Sequence, residues 1–163
     1  MTITHQELLE LIHYEPTTGV FTRLDTGKVT NCIGKAGYVE IRIKNVLYYG
    51  HRLAWFYVKG EWPPRVDHDN NHRHDNRWTN LRLATRTQNN RNGVIRKSNK
   101  SGFKGVCFCK VMKRWKATIT VDRRQFTIGY ADEPQEAALL YDQAAIVHHG
   151  AFAKTNKQLG LLS

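Results

Sequence analysis

The chain has 163 residues, 40% of them hydrophobic and 10% aromatic, which excludes a wholly disordered polypeptide. It carries 25 Lys and Arg against 14 Asp and Glu, a net charge of +11 that points to a polyanionic partner, nucleic acid first. No run reaches the roughly 18 apolar residues of a membrane helix and the acidic start MTITHQELLE is unlike a signal peptide, so a cytoplasmic protein with no membrane partner is expected.

Thr4 and Glu7 have the spacing of a capping box ahead of Leu8, Leu9, Leu11 and Ile12, which predicts a short helix running to about Tyr14. A turn follows at Pro16 to Gly19. Residues 37 to 49 alternate apolar and polar around Lys44-Asn45 and predict a β-hairpin. From His51 the stretch HRLAWFYVKGEWPP predicts a buried helix stopped by Gly60 and two prolines. Val66 opens a strand that runs into a loop dense in Asp, Asn and His; LRLAT predicts a second strand, and Thr85 with Gln88 predicts the cap of a short helix. Residues 93 to 100 read as a basic linker. Three strands are then expected at about 104–110, 114–121 and 124–130, and a helix from Glu133 to about His149, capped by Asp132 and ended by Gly150. Ala137, Ala138, Ala144 and Ala145 would let that helix lie close against the sheet.

Charge separates the two halves: residues 1–92 are net +4 and residues 93–163 net +7. Ten basic residues and one acid lie between Arg96 and Arg124, so one face of the three-stranded sheet is expected to be positive, either as a nucleic-acid surface or as a solvated basic face. Cys32, Cys107 and Cys109 match neither a zinc knuckle nor a redox pair, and the last two should share a strand face as reduced thiols.

The segment Val66 to Asn92 carries the chemistry. Phosphodiester hydrolysis needs a base for water, a cation for the charge that builds on phosphate, and help for the leaving oxygen. Asp67 and His68 offer a hard carboxylate and an imidazole side by side, provided the strand ends or bends there. Asn89, twenty-two positions after Asp67, offers an amide oxygen on the following helix. Hard oxygen donors favour Mg²⁺ or Mn²⁺ over Zn²⁺. His68, His72 and His74 could instead suggest zinc, but no paired cysteines accompany them.

From about Tyr14 to Asn92 the pieces HRLAW, GEWPP, VDHDN and DNRWTNLRLAT occur in the order found in phage-type HNH endonucleases, and the chain resembles that family. The resemblance implies a homing-type DNA endonuclease with a small ββα-metal domain, in which Asp67 and Asn89 bind one Mg²⁺ or Mn²⁺ and His68 is the general base. Asn80 would tie the loop together and orient His68. By their charge alone, Arg73, Arg77 and Arg82 are either phosphate clamps or solvated loop charges, and Arg77 and Arg82 are taken as the DNA-binding pair. Asn71 stands where glycine is usual, and asparagine tolerates the left-handed conformation such a turn needs.

Ser101 to Asn156 resembles the DNA-binding domain of plant ethylene-response (APETALA-type) factors, in SGFKGV, the Trp115 to Ile119 strand and the spacing Glu136-Ala-Ala138, Tyr141-Asp142, Ala144-Ala145 and Gly150. It implies that Lys104, Lys110, Lys113, Arg114, Trp115, Lys116, Thr118 and Arg123 contact duplex DNA.

The expected fold is therefore α+β: a nuclease domain over 1–92 with a preceding hairpin and helices, a linker over 93–100, and a three-stranded antiparallel sheet with one helix over 101–163. A double-stranded DNA partner and no obligatory protein partner are expected, in the bacterial cytoplasm if the chain is phage-encoded. The competing readings are a non-catalytic DNA-binding regulator that retains the nuclease fold, and an RNA-binding protein.

Overall fold

The computed structural model describes residues 3–95 and 98–162, so the linker residues Arg96 and Lys97 lie outside the described residues. The fold is mixed α and β, with helices and small antiparallel sheets falling into two compact units, Met1–Arg86 and Thr87–Ser163. Among the described residues no helix is long and apolar enough to cross a membrane.

In the first unit, helix α1 (His5–Leu11) is opened by the full capping box: Glu7 N donates to Thr4 Oγ1, and Thr4 N donates back to the Glu7 carboxylate. It stops at Leu11 and not at Tyr14. Ile12 and Tyr14 are buried on alternate positions of strand β1 (Ile12–Glu15), which pairs with β2 (Val20–Arg23) across the Pro16 to Gly19 turn. A strand with two inward residues and a run of helical apolar positions look alike over so short a stretch, and tertiary pairing decides.

Strands β3 (Cys32–Ile33), β4 (Val39–Ile43) and β5 (Val46–Tyr49) form the next sheet. Lys44 and Asn45 take φ of 46° and 64° at the β4–β5 turn, the left-handed pair that a two-residue hairpin requires. Helix α2 (Gly50–Lys59) follows and is ended by Gly60 at φ 73°. Its Leu53, Ala54 and Phe56 join Leu8, Ile12, Tyr14, Phe21 and Ile41 in one core. Strands β6 (Val66–His68) and β7 (Leu81–Leu83) pair antiparallel, Asp67 opposite Arg82 and His68 opposite Leu81.

The second unit holds most of α3 (Arg86–Asn92), then β8 (Val106–Cys109), β9 (Arg114–Val121) and β10 (Arg124–Ala131) in the order β10-β9-β8, and α4 (Pro134–His149). Ala137, Ala138 and Ala145 are fully buried against the sheet, the close approach that small residues permit. The residue before Pro134 that caps α4 is Glu133, without a side-chain bond; Asp132 instead holds Arg114 by a two-pronged ion pair at 2.7 and 3.0 Å. Gly105, at φ 76°, lies so close under Tyr141 that an added Cβ would meet the ring at 2.0 Å.

Candidate active site and nucleic-acid interface

The β6–β7 hairpin supplies the centre of the first unit. Asp67 and His68 are 5% and 6% exposed at the end of β6. Arg82, the cross-strand partner of Asp67, reaches Asp67 Oδ2 through Nε at 3.1 Å and through a terminal nitrogen at 3.0 Å, and its other nitrogen pairs with Asp69. Arg77 is held by Asp75 in a bidentate pair at 2.9 and 2.6 Å, which draws the Asp75 carboxyl well below the usual carboxylate range. The two arginines expected to clamp phosphate thus each hold a carboxylate of the loop.

Asn80 closes that loop from both ends: its Oδ1 accepts from Asn70 N at 3.0 Å and its Nδ2 donates to the Asp75 carbonyl at 2.7 Å. Asn71 takes φ 64°, the conformation that glycine adopts readily and asparagine tolerates. His72 and His74 stack on one another with centroids 6.0 Å apart.

The residue facing His68 is one to which sequence reasoning gave no role. Asn76 is 1% exposed, and its Oδ1 lies 3.3 Å from His68 Nε2. Its carbonyl accepts from Tyr14 Oη at 2.6 Å, a bond spanning 62 positions of sequence. Asn76 Nδ2 is buried with no hydrogen-bond partner among the described residues. His51 meets the His68 ring edge-on at 5.1 Å, and the rings of Tyr38 and Tyr49 lie 5.0 and 5.8 Å from that of His51. Both His51 and Asn76 sit inside the HRLAW and DNRWTN segments, so the motif itself was the available signal.

Burial holds both imidazoles neutral. It pushes His68 below its ordinary pKa, and burial followed by the neighbouring His68 brings His51 down to about 3. An unfolded chain takes up the His51 proton near pH 6.5 and the folded one near 3, so between those values the unfolded state binds more protons. The His51 contribution is complete above pH 6.5 and is lost as pH falls toward 3, by up to about 1.4 kcal/mol per pH unit for one proton. Urea unfolding of His51→Gln at pH 7 and pH 4.5 is expected to show a shallower loss than the parent; an equal loss would contradict this assignment.

The buried Asp67 carboxylate is a hard oxygen donor of the kind that suits Mg²⁺ or Mn²⁺. Among the described residues no three or more His, Cys, Asp or Glu side chains group to hold a metal. Asn89 lies on α3, half-buried, in the second unit.

In the second unit, register sorts the expected DNA-facing residues. Ala117 and Ile119 are buried toward α4, so Arg114, Lys116 and Thr118 point from the opposite face of β9. Cys107 lies opposite Lys116 and Cys109 opposite Arg114 on that open face, where both are free thiols. Trp115 belongs to the other face: it packs beside Ala117 and Ala137 and meets Phe108 edge-on at 5.2 Å. Lys110 and Lys113 are exposed in the β8–β9 turn, and Arg123 in the β9–β10 turn. Lys104 turns inward. Its ammonium donates to the Arg91 and Gly93 carbonyls, each at 2.6 Å, and burial followed by the charge of Lys154 lowers its pKa to about 8.

A family model described as HNH endonuclease matches residues 48–91, which takes in α2, both strands of the β6–β7 hairpin and Asn89. Protein 3.8 of Escherichia phage T7 is 30% identical over 106 residues, 64% of this chain and 87% of that protein. A solved structure showing DNA binding and cleavage by the HNH homing endonuclease I-HmuI aligns over 85% of both chains at 18% identity, with a TM-score of 0.44.

Proposed function

Because the chain belongs to the family of Protein 3.8 of Escherichia phage T7 and carries an HNH endonuclease segment, we propose that it is a metal-dependent, homing-type endonuclease that hydrolyses phosphodiester bonds in double-stranded DNA. The observation that carries this reading is the pairing at one strand end of a buried carboxylate, Asp67, with a buried neutral imidazole, His68, whose far nitrogen faces Asn76 Oδ1.

His68 takes the proton of the attacking water. With Asn76 Oδ1 accepting the Nε2 proton, the basic nitrogen is Nδ1, a tautomer set by the hydrogen bond. Asn76 and His51 both contact the ring, and Asn80 keeps the loop in shape. Asp67 would hold the cation, with Arg82 holding the carboxylate in place, and on the sequence pattern Asn89 is the second ligand. Bound Mg²⁺ or Mn²⁺ would supply Lewis-acid stabilisation of the charge on the phosphate.

Residues 1–92 form the nuclease module in this reading, 93–100 the basic linker and 101–163 an ethylene-response-factor-like module that grips duplex DNA. Lys116, Lys110, Lys113 and Arg123 are its contacts of choice, with Arg114 available on release from Asp132.

Duplex cleavage is expected with Mg²⁺ or Mn²⁺, to stop in EDTA and to survive a zinc-selective chelator. Loss of cleavage on removing zinc alone, without recovery in Mg²⁺, would overturn the hard-metal assignment.

A further inference from the structure

The second unit contains a cavity of about 610 Å³ whose lining includes three cations and no Asp or Glu among the described residues. It opens beside β9. Strand β8 pairs with β9 only as far as Val106 opposite Ala117, so from Thr118 onward that edge of β9 has no β8 neighbour. Arg91 of α3, Lys104, and Arg123 from the β9–β10 turn line the space, and Tyr141 and His149 of α4 form part of its wall.

Two polar atoms of that lining are buried with no partner among the described residues: Arg91 Nε and His149 Nδ1. His149 is 8% exposed, and its Nε2 donates to the Thr120 carbonyl at 3.0 Å, which leaves Nδ1 as the second ring nitrogen. Buried donors and acceptors ordinarily find partners, and a pair of orphans on one basic cavity calls for a polar occupant. The acid nearest to Arg91 is Asp122, 3.8 Å from a terminal nitrogen and 92% exposed, too solvated to neutralise the cavity.

We propose that this cavity is a phosphoryl-binding site, seating one backbone phosphodiester of bound duplex DNA among Arg91, Lys104, Arg123 and His149. In taking duplex DNA as the source it rests on the endonuclease reading; the same chemistry would accept free phosphate. Arg91 Nε–H donates to a phosphate oxygen, and Lys104 and Arg123 contribute charge. His149 faces Arg91 from α3, Lys104 from the segment before β8, His148 on its own helix and the Thr120 carbonyl from β9; burial and then those cations disfavour its protonation. An anion beside it reverses that balance, and Nδ1 then carries a proton to donate.

The test uses the full chain in a His68→Ala background, which keeps the duplex intact. Affinity for a duplex oligonucleotide is measured across a salt series, and the His149 ring nitrogens are followed by NMR. Arg91→Gln is expected to make the log–log salt slope shallower by about 0.9, the share of one phosphate, while Arg91→Lys retains it. Duplex is expected to shift the His149 signals toward the protonated form in the parent. Inorganic phosphate at constant ionic strength is the second arm. If it shifts His149 and duplex does not, the phosphoryl chemistry stands and the DNA assignment falls. An unchanged slope in a folded Arg91→Gln together with His149 signals unmoved by either probe would overturn the proposal; should that variant not fold, the parent's His149 signals decide alone. Cleavage by the unaltered chain is scored separately: a slope change without any cleavage refutes the nuclease reading and leaves the site standing.

Discussion

Replacing His68 by alanine is expected to slow DNA cleavage by about 10²- to 10⁴-fold, the usual loss for a positioned general base. Duplex affinity is expected to change little, because the neutral, buried ring contributes no charge to phosphate contacts. Single-turnover rates at saturating protein separate the two quantities, with a thermal melt to establish folding. Lys116→Ala on the open face of β9 should do the reverse, weakening capture while the saturated rate stays near that of the parent. A folded His68→Ala chain that cuts at the parental rate would remove His68 as the base and turn attention to His72 and His74.

Gly19→Ala is expected to destabilise the first unit by about 2–4 kcal/mol, the range for strain at a left-handed position combined with a backbone clash. Gly19 has φ 74°, and a Cβ there would stand 2.5 Å from Arg77 N and 2.6 Å from the Asn76 carbonyl carbon. Those are backbone atoms, so no side chain can swing aside. Relief requires moving the 75–77 segment, and with it the Asn76 carboxamide that faces His68. A drop in melting temperature accompanied by a lower cleavage rate among folded molecules is the predicted result; an unchanged melt would mean that the turn does not buttress the site as described.

Much of this architecture was legible where the cause is local. Lys44-Asn45 specify a hairpin turn by their tolerance of positive φ, Gly60 stops α2 in the left-handed conformation, and Thr4 with Glu7 start α1 through two short hydrogen bonds. The Asp67-His68 pair stood out by its chemistry and its surrounding pattern. The partners that hold it did not. Tyr14 reaches Asn76 across 62 positions, and His51 on helix α2 meets His68 on strand β6, contacts that no periodicity encodes.

The sheet teaches a narrower lesson. Trp115, Ala117, Ile119 and Val121 alternate with Arg114, Lys116, Thr118 and Thr120, so strand geometry already assigns Trp115 to the face opposite Lys116. Grouping Trp115 with its basic neighbours as DNA contacts mixed two faces. Lys104 is different in kind: its inward turn depends on the Arg91 and Gly93 carbonyls, and a basic residue in a loop gives no hint of that.

The central claim is that the Asp67 and His68 centre cuts duplex DNA, and incubation of the purified chain with supercoiled plasmid tests it most directly. Nicked or linear plasmid is predicted with the parent chain in Mg²⁺ or Mn²⁺, and intact supercoils with Asp67→Ala and His68→Ala prepared alongside. Plasmid that stays supercoiled with the parent chain in both metals, while a mobility shift shows it bound, would contradict the account and favour a DNA-binding protein without nuclease activity.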